Sequence, residues 1–178
     1  MSKRNIILCE GFDEVYILGY YIFKTNSWVR SKDNKKFSDY YILPEVNKRN
    51  QMIEVYEKNE DRTAIWSVGG KDSFSKAFEF LKNINLQHPE HGISQVFILQ
   101  DRDNNDIENC LQEIKNKLKE YSINIENLKN NCINKWEYDF EGESYTINII
   151  PIILPFDENG ALETVLMKAI ETTGTEEK

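Results

Sequence analysis

The sequence predicts an α/β fold in which a mostly parallel central sheet is flanked by helices. Three short apolar runs, at residues 5–9, 64–68 and 96–99, are continuous rather than alternating, which is typical of strands buried on both faces of a sheet. A segment with helical periodicity follows each run. Because such strand–helix units connect parallel neighbours, we expect the three strands to lie side by side in one sheet.

The first strand, within residues 4–9, ends at Glu10-Gly11. In the segment that follows, apolar residues recur at the spacing of a helix that is buried over much of its circumference (Val15, Tyr16, Ile17, Leu18, Tyr20 and Ile22). Glu14 lies one turn beyond Glu10, so both carboxylates can face one point above the sheet.

Residues 37–57 are compatible with either a strand or a short helix, and the pattern does not decide between them. The second buried strand, at 64–68, ends in a tight Gly69-Gly70 turn before the next helix. Because a glycine turn before a helix N-terminus can bind phosphate, Gly69, Gly70 and Lys71 are candidate phosphate-binding residues. The segment lacks the Walker spacing and is therefore not a P-loop.

The third strand runs directly into Asp101-Arg102-Asp103. Ligand sites in open α/β sheets lie beyond the carboxyl ends of the strands. On an extended chain, carboxylates two residues apart point the same way, and their repulsion is relieved by a proton or by a hard divalent cation such as Mg²⁺. A solvated acidic turn that caps the next helix, from Asp106 to about Tyr121, is the alternative.

The last part of the chain predicts a β-hairpin near 134–154, joined near Glu141-Gly142 and followed by a helix. Glu163, in the first turn of that helix, can point back over the sheet. Residues 171–178 are expected to form a frayed tail. His88 and His91 lie in a linker without a pattern of further metal ligands, so we expect them to be loop residues.

Length and composition indicate a single globular domain, with a core at about residues 4–170. The chain has 178 residues, of which 40% are hydrophobic and 29% charged, and no apolar stretch approaches the about 18 residues of a membrane span. No signal peptide is evident, and three cysteines without paired spacing argue against disulfides and zinc. We therefore expect a cytoplasmic protein with reduced thiols.

The net charge of −8 argues against a protein that binds nucleic acid by electrostatics alone. Any phosphate contact must then be local, bridged by a metal, or completed by a partner. The basic residues are concentrated at 30–36, which is either a solvated loop or a phosphate-binding edge.

The order strand–Glu10-Gly11–helix, strand–Gly69-Gly70–helix and strand–Asp101-Arg102-Asp103–helix resembles the Toprim domain. That domain is shared by bacterial primases, type IA and type II topoisomerases, recombination proteins and OLD-family nucleases. The segments V-G-G-K-D-S-F and I-L-P-F-D-E-N-G-A-L-E are similar to the Toprim regions of the OLD group and of small stand-alone Toprim-like proteins. The resemblance covers about residues 4–170. A haloacid-dehalogenase phosphatase also uses Asp-x-Asp, but after its first strand, which here ends in Glu.

The resemblance implies a Rossmann-like Toprim fold and Mg²⁺-dependent phosphoryl transfer on DNA or RNA, with Mn²⁺ as a substitute metal. Asp101 and Asp103 would hold the metal with Glu10 or Glu14, and Glu163 would complete a second metal site. Glu10 would also be the catalytic acid or base of a metal-dependent nuclease. Because OLD-type nucleases carry an ATPase domain, this chain would act alone or with a separate ATPase partner. The alternative is a non-catalytic, metal-binding interaction module in a DNA repair, recombination or phage-defence complex.

Overall fold

The computed structural model describes residues 3–34, 36–37, 42–46, 50–87 and 92–174. The elements found there are, in chain order, β1 (Arg4–Cys9), α1 (Phe12–Asn26), β2 (Val29–Arg30), β3 (Met52–Lys58), β4 (Asp61–Ser67), α2 (Phe74–Gln87), β5 (Gln95–Asp101), α3 (Ile107–Glu120), β6 (Asn134–Phe140), β7 (Glu143–Leu154) and α4 (Leu162–Gly174). A single 3₁₀ turn, Lys71–Ser73, precedes α2. None of the described helices is both long and apolar enough to cross a membrane.

The described strands form one mixed sheet of seven strands in the order β2-β3-β4-β1-β5-β7-β6. The four central strands β4, β1, β5 and β7 are parallel, which confirms that the three predicted core strands are parallel neighbours. The outer pairings β2–β3, β3–β4 and β6–β7 are antiparallel. The sheet is therefore mixed rather than mostly parallel, because hairpins add antiparallel strands on both sides of the central four.

Helices cover both faces of the central strands. On one face, α2 and α3 pack through Phe78 and Ile114 on buried β1 and β5 residues such as Ile6 and Ile98. On the other face, α1 packs through Val15, with a smaller cluster that includes Cys9, Ile65 and Leu99. The strands are thus buried on both sides, which explains their continuous apolar runs.

The predicted hairpin is confirmed as β6 and β7, whose strands pair from Phe140↔Glu143 to Asn134↔Ile149. Within the undecided segment 37–57, the part at 52–57 is β3, which is a strand because it forms a hairpin with β4. Helix α4 continues to Gly174, past the expected start of the frayed tail, and residues 175–178 lie outside the described part. His88 and His91 also lie outside it.

Candidate active site

The candidate site lies at the carboxyl edge of the parallel strands β1 and β5. Because these strands are parallel neighbours, Glu10 after β1 and Asp101 at the end of β5 reach the same edge. The backbone N–H of Asp101 donates a hydrogen bond to Glu10 Oε1 at 3.0 Å. The topology therefore brings together the first two acidic motifs predicted from the sequence.

An open cleft of about 370 Å³ lies above this edge. It is lined by Glu10, Gly11, Phe12, Asp13, Glu14, Asn50, Gly69, Gly70, Asp101 and Glu163. Four of the five predicted carboxylate ligands are in this lining, and Asp103 is not. The cleft is thus predominantly acidic.

Glu14 is almost completely buried in the first turn of α1. Its Oε1 accepts a hydrogen bond from the backbone N–H of Gly11 at 3.3 Å, so the side chain caps the helix. A side chain on Gly11 would come within 3.0 Å of Glu14 Oε2, so the glycine leaves room for this carboxylate. Glu14 therefore has a structural role beside its predicted role as a metal ligand.

The Gly69-Gly70 turn holds the end of β1. The backbone N–H groups of Gly69 and Gly70 donate to the carbonyl oxygen of Glu10 at 3.0 and 2.9 Å. Their φ angles of +84° and +108° suit glycine. Because both amide groups are engaged by Glu10, the two glycines do not offer these donors to a phosphate, and Lys71 remains as the cationic group of this turn.

The backbone of Asp103 differs from that of Asp101, because the extended strand β5 ends at Asp101. Asp103 has a φ of +53°, in the left-handed region. Its N–H donates to the carbonyl of Gly160 at 2.6 Å, and the N–H of Gly160 donates to its carbonyl at 2.7 Å. The Asp103 carboxylate accepts a hydrogen bond from Lys71 Nζ at 2.5 Å. The expectation that the two aspartates share one extended orientation is therefore wrong.

Asp101 also positions the N-terminal end of α4 at the cleft. Its Oδ1 accepts a hydrogen bond from the N–H of Leu162, the first residue of α4, at 2.9 Å. Glu163 is the next residue, which explains its place in the cleft lining. Sequence reasoning missed that the Asp-x-Asp segment caps the last helix.

Two further residues at or beside the site were not identified from the sequence. Arg102, between the aspartates, donates to the carbonyls of Asn105, Glu158 and Phe156 at 2.8, 3.1 and 3.5 Å, so it fixes the loop before α4. Asn50 lines the cleft and donates to the carbonyl of Gly69 at 3.1 Å. An arginine beside two acids at a strand end was a visible signal, whereas Asn50 belongs to no motif.

The pKa of Glu10 is raised from 4.5 to about 7. Burial is the main cause, and the negative charges of Asp101 and Asp103 add to it. The positive charge of Lys71 and the hydrogen bond from the Asp101 backbone act in the opposite direction. A carboxyl group with this pKa exchanges a proton near neutral pH.

The pKa of Asp101 is raised from 3.8 to about 6. Burial is again the largest cause, the hydrogen bond from Leu162 opposes it, and the nearby charges of Glu14 and Glu163 raise the value further. Because carboxylates placed so close together repel each other, a bound cation would stabilise their ionised forms.

The donor set of the cleft suits a hard divalent cation, because it consists of carboxylate oxygens. In the described part of the chain, no three side chains of the metal-binding types are close enough together to form a ready-made metal centre. The residues therefore fit Mg²⁺ in chemistry, and their side chains would have to come closer together around the ion.

The sequence from residue 4 to residue 177 matches the family model DUF3226, described as a protein of unknown function. No curated protein matches the chain. Among solved structures, the hypothetical protein PH0156 from Pyrococcus horikoshii OT3 aligns with a TM-score of 0.60 at 16% identity, over 98% of this chain and 68% of that one. A protein with unknown function from Thermoplasma acidophilum aligns over 99% and 79% of the two chains at 14% identity, with a TM-score of 0.34. The similarity to the Pyrococcus horikoshii protein concerns the fold alone.

Proposed function

The chain belongs to the DUF3226 family, and we propose that it is a Toprim-type, Mg²⁺-dependent nuclease that transfers phosphoryl groups of DNA or RNA. The observation that carries the proposal is the meeting of Glu10 and Asp101 at adjacent ends of parallel strands, with Glu163 in the same cleft. The motifs occur in the order that supports the resemblance: Glu-Gly after the first strand and Asp-x-Asp after a later one, as in Toprim domains, and Gly-x-Leu-Glu after the last, as in the OLD group.

Cleavage of a phosphodiester needs stabilisation of charge on the non-bridging oxygens and a path for a proton. Mg²⁺, or Mn²⁺ in its place, held by Asp101 with Glu10, Glu14 or Glu163, would supply the charge stabilisation. In the metal-free protein, Glu10, whose pKa is raised to about 7, holds a proton in a substantial fraction of molecules at neutral pH. It is therefore suited to protonate the leaving oxygen or to accept a proton from the attacking water.

Lys71 and Asp103 form an ion pair with an Nζ–Oδ2 distance of 2.5 Å, and both side chains are partly exposed. Exposed ion pairs contribute about 0–1 kcal/mol, so a phosphate or a cation can separate them at little cost. Separation would leave Lys71 to bind a phosphate oxygen and Asp103 to act as the further metal ligand predicted from the sequence.

The acidic charge of the chain limits how it could bind nucleic acid. A net charge of −8 repels phosphates at long range, so affinity must come from local contacts, from the metal, or from a separate partner. By its resemblance to the OLD group, we propose an ATPase as that partner. We also propose the cytoplasm as the compartment, because three cysteines without paired spacing fit reduced thiols.

The test measures plasmid and RNA cleavage together with calorimetric Mn²⁺ affinity across a Mn²⁺ titration, for wild type and Glu10→Gln. We expect wild type to cleave, and Glu10→Gln to lose cleavage while it keeps much of its metal affinity. The matched control is Glu137→Gln, an exposed glutamate on β6 outside the cleft, which should behave as wild type. If wild type cleaves neither DNA nor RNA, alone or with candidate ATPases, the enzyme proposal fails.

One observation favours the second candidate, a non-catalytic metal-binding interaction module. The carboxylates of Glu10, Glu14 and Asp101 each accept a backbone hydrogen bond, so they have a structural role that does not require catalysis. Calorimetric Mn²⁺ binding by a wild type that cleaves nothing would support this candidate.

A further inference from the structure

Helix α1 exposes a row of aromatic rings. Tyr16, Tyr20 and Phe23 retain 60%, 65% and 51% of their surface in contact with solvent. Their i, i+4, i+7 spacing places them on one side of the helix, whereas Val15 on another side packs against the sheet. Large apolar side chains exposed side by side in this way form a candidate binding surface.

Positive charges accompany these rings. The ammonium of Lys24 lies 5.6 Å from the ring centre of Tyr20 and 5.8 Å from that of Phe23. Arg30 on β2 is ion-paired with Glu54 and lies close enough to Tyr16 for the two groups to interact electrostatically. Lys32, which is exposed, follows two residues later. Because Glu54 balances the charge of Arg30, Lys24 and Lys32 supply the net positive charge beside the rings in a chain of net charge −8.

We propose that this surface binds single-stranded nucleic acid. The surface, named the aromatic platform, consists of Tyr16, Tyr20, Phe23, Lys24, Arg30 and Lys32. The inference rests on the proposed function and adds to it the form of the substrate. Bases stack on the rings, and phosphates contact the cations.

The dimensions of the helix suit this role. With a rise of about 1.5 Å per residue, Tyr20 lies about 6 Å beyond Tyr16 along the axis, and Phe23 lies about 4.5 Å further. Successive unpaired bases can therefore stack on successive rings, with Lys24 moving from the ring faces to a neighbouring phosphate. Bases in a duplex remain stacked on each other, so their faces are not available to the rings.

The aromatic platform is continuous with the cleft. Phe12 and Asp13 line the cleft at the start of α1, and Tyr16 lies about one turn further along the helix. A strand stacked on the rings would therefore continue past the N-terminal end of α1 to Glu10. A second copy of the chain is the alternative occupant, and the oligomeric state of the variants distinguishes it from nucleic acid.

The experiment measures the fluorescence anisotropy of a labelled oligothymidylate of about 20 nucleotides, long enough for one site, and of a duplex of equal length. EDTA is present throughout, so that neither metal binding nor cleavage contributes. We expect wild type to bind the single strand more tightly than the duplex, with an affinity that falls as salt rises. Lys24→Gln and Lys32→Gln should each lower the slope of log K against log salt by about one.

The decisive comparison is Tyr20→Phe against Tyr20→Leu. Phenylalanine keeps the aromatic face and should keep the affinity, whereas leucine keeps only the apolar character and should weaken binding at least about fivefold. Tyr16→Ala should weaken binding to a similar degree. Ile133→Ala is the matched control, because Ile133 is 63% exposed but lies outside the platform, and it should bind as wild type.

Absence of single-strand binding, or equal affinity for Tyr20→Leu and wild type, overturns the proposal. So does a shift from dimer to monomer in Tyr20→Leu, measured by sedimentation, with oligothymidylate affinity unchanged, because the surface is then an interface between copies. Failure of the nuclease proposal gives a different result: wild type binds the single strand in EDTA through these rings but cleaves nothing when Mn²⁺ is added.

Discussion

Replacing Glu10 by glutamine should stabilise the metal-free protein at pH 8, with a much smaller effect at pH 5. Burial raises the pKa of Glu10 from 4.5 to about 7, so the folded protein binds more protons than the unfolded chain between those values. Wild-type stability therefore falls as pH rises through this window, and stays lower above it. Glutamine cannot ionise, and its side-chain oxygen can still accept the hydrogen bond from the Asp101 backbone.

The size of the effect follows from the pKa. A rise from 4.5 to about 7 corresponds to about 3 kcal/mol, at about 1.4 kcal/mol per pKa unit. Because the cleft is open and Glu10 is partly exposed, solvent screening reduces the expected gain for Glu10→Gln to about 1–2 kcal/mol at pH 8. At pH 5 the carboxyl group of the folded wild type is mostly neutral, so most of the difference between the two proteins is lost.

Urea unfolding in EDTA at pH 5 and pH 8, followed by tryptophan fluorescence, measures this difference. Glu137→Gln is the matched control and should change the free energy of unfolding by less than about 0.5 kcal/mol at either pH, as surface substitutions do. The reasoning is refuted if Glu10→Gln is less stable than wild type at pH 8, or if its gain is the same at both pH values.

Three further outcomes are expected. Asp101→Asn keeps an amide oxygen that can still cap α4. We expect it to bind Mn²⁺ more weakly in calorimetry, and Mg²⁺ should raise its melting temperature less than that of wild type. Equal Mn²⁺ affinity of the two proteins would place the metal elsewhere. Arg102→Ala should lower the free energy of unfolding by about 1–3 kcal/mol in urea, because hydrogen bonds to three carbonyl groups are lost, and an unchanged value would contradict that role. Gly19→Ala should cost about 1–3 kcal/mol in the same assay, since its Cβ would lie 2.0 Å from the hydroxyl of Tyr56, and Tyr56→Phe should recover part of the loss.

The core of the fold was predictable because its signals are local. Continuous apolar runs predict strands buried on both faces, and the helical periodicity after each run predicts the covering helices. The antiparallel strands outside the four central parallel strands were harder to predict. Whether 52–57 forms a strand depends on its pairing with β4, for example Val55 with Ala64, and the sequence of this segment alone does not contain that information.

The site was predictable where it depends on the order of the parallel strands, and not where it depends on contacts between distant loops. Glu10 and Asp101 follow neighbouring parallel strands, so their meeting follows from the topology. The left-handed conformation of Asp103 depends on paired hydrogen bonds with Gly160, far away in sequence. The engagement of the Gly69 amide by the Glu10 carbonyl is equally non-local. In both cases a contact between distant loops decides where a motif residue points.

The acidic residues of the cleft also hold the structure together. One oxygen of Glu10 accepts the backbone N–H of Asp101, and one oxygen of Asp101 accepts that of Leu162, so β1, β5 and α4 are joined through the carboxylates themselves. The other oxygen of each carboxylate is the candidate metal ligand. These bonds hold one oxygen of each carboxylate, so the approach of the side chains to a metal must leave the bonds in place or break them. Alanine substitutions would therefore remove a structural acceptor together with the charge, whereas Gln at Glu10 and Asn at Asp101 change the charge while they keep the acceptor.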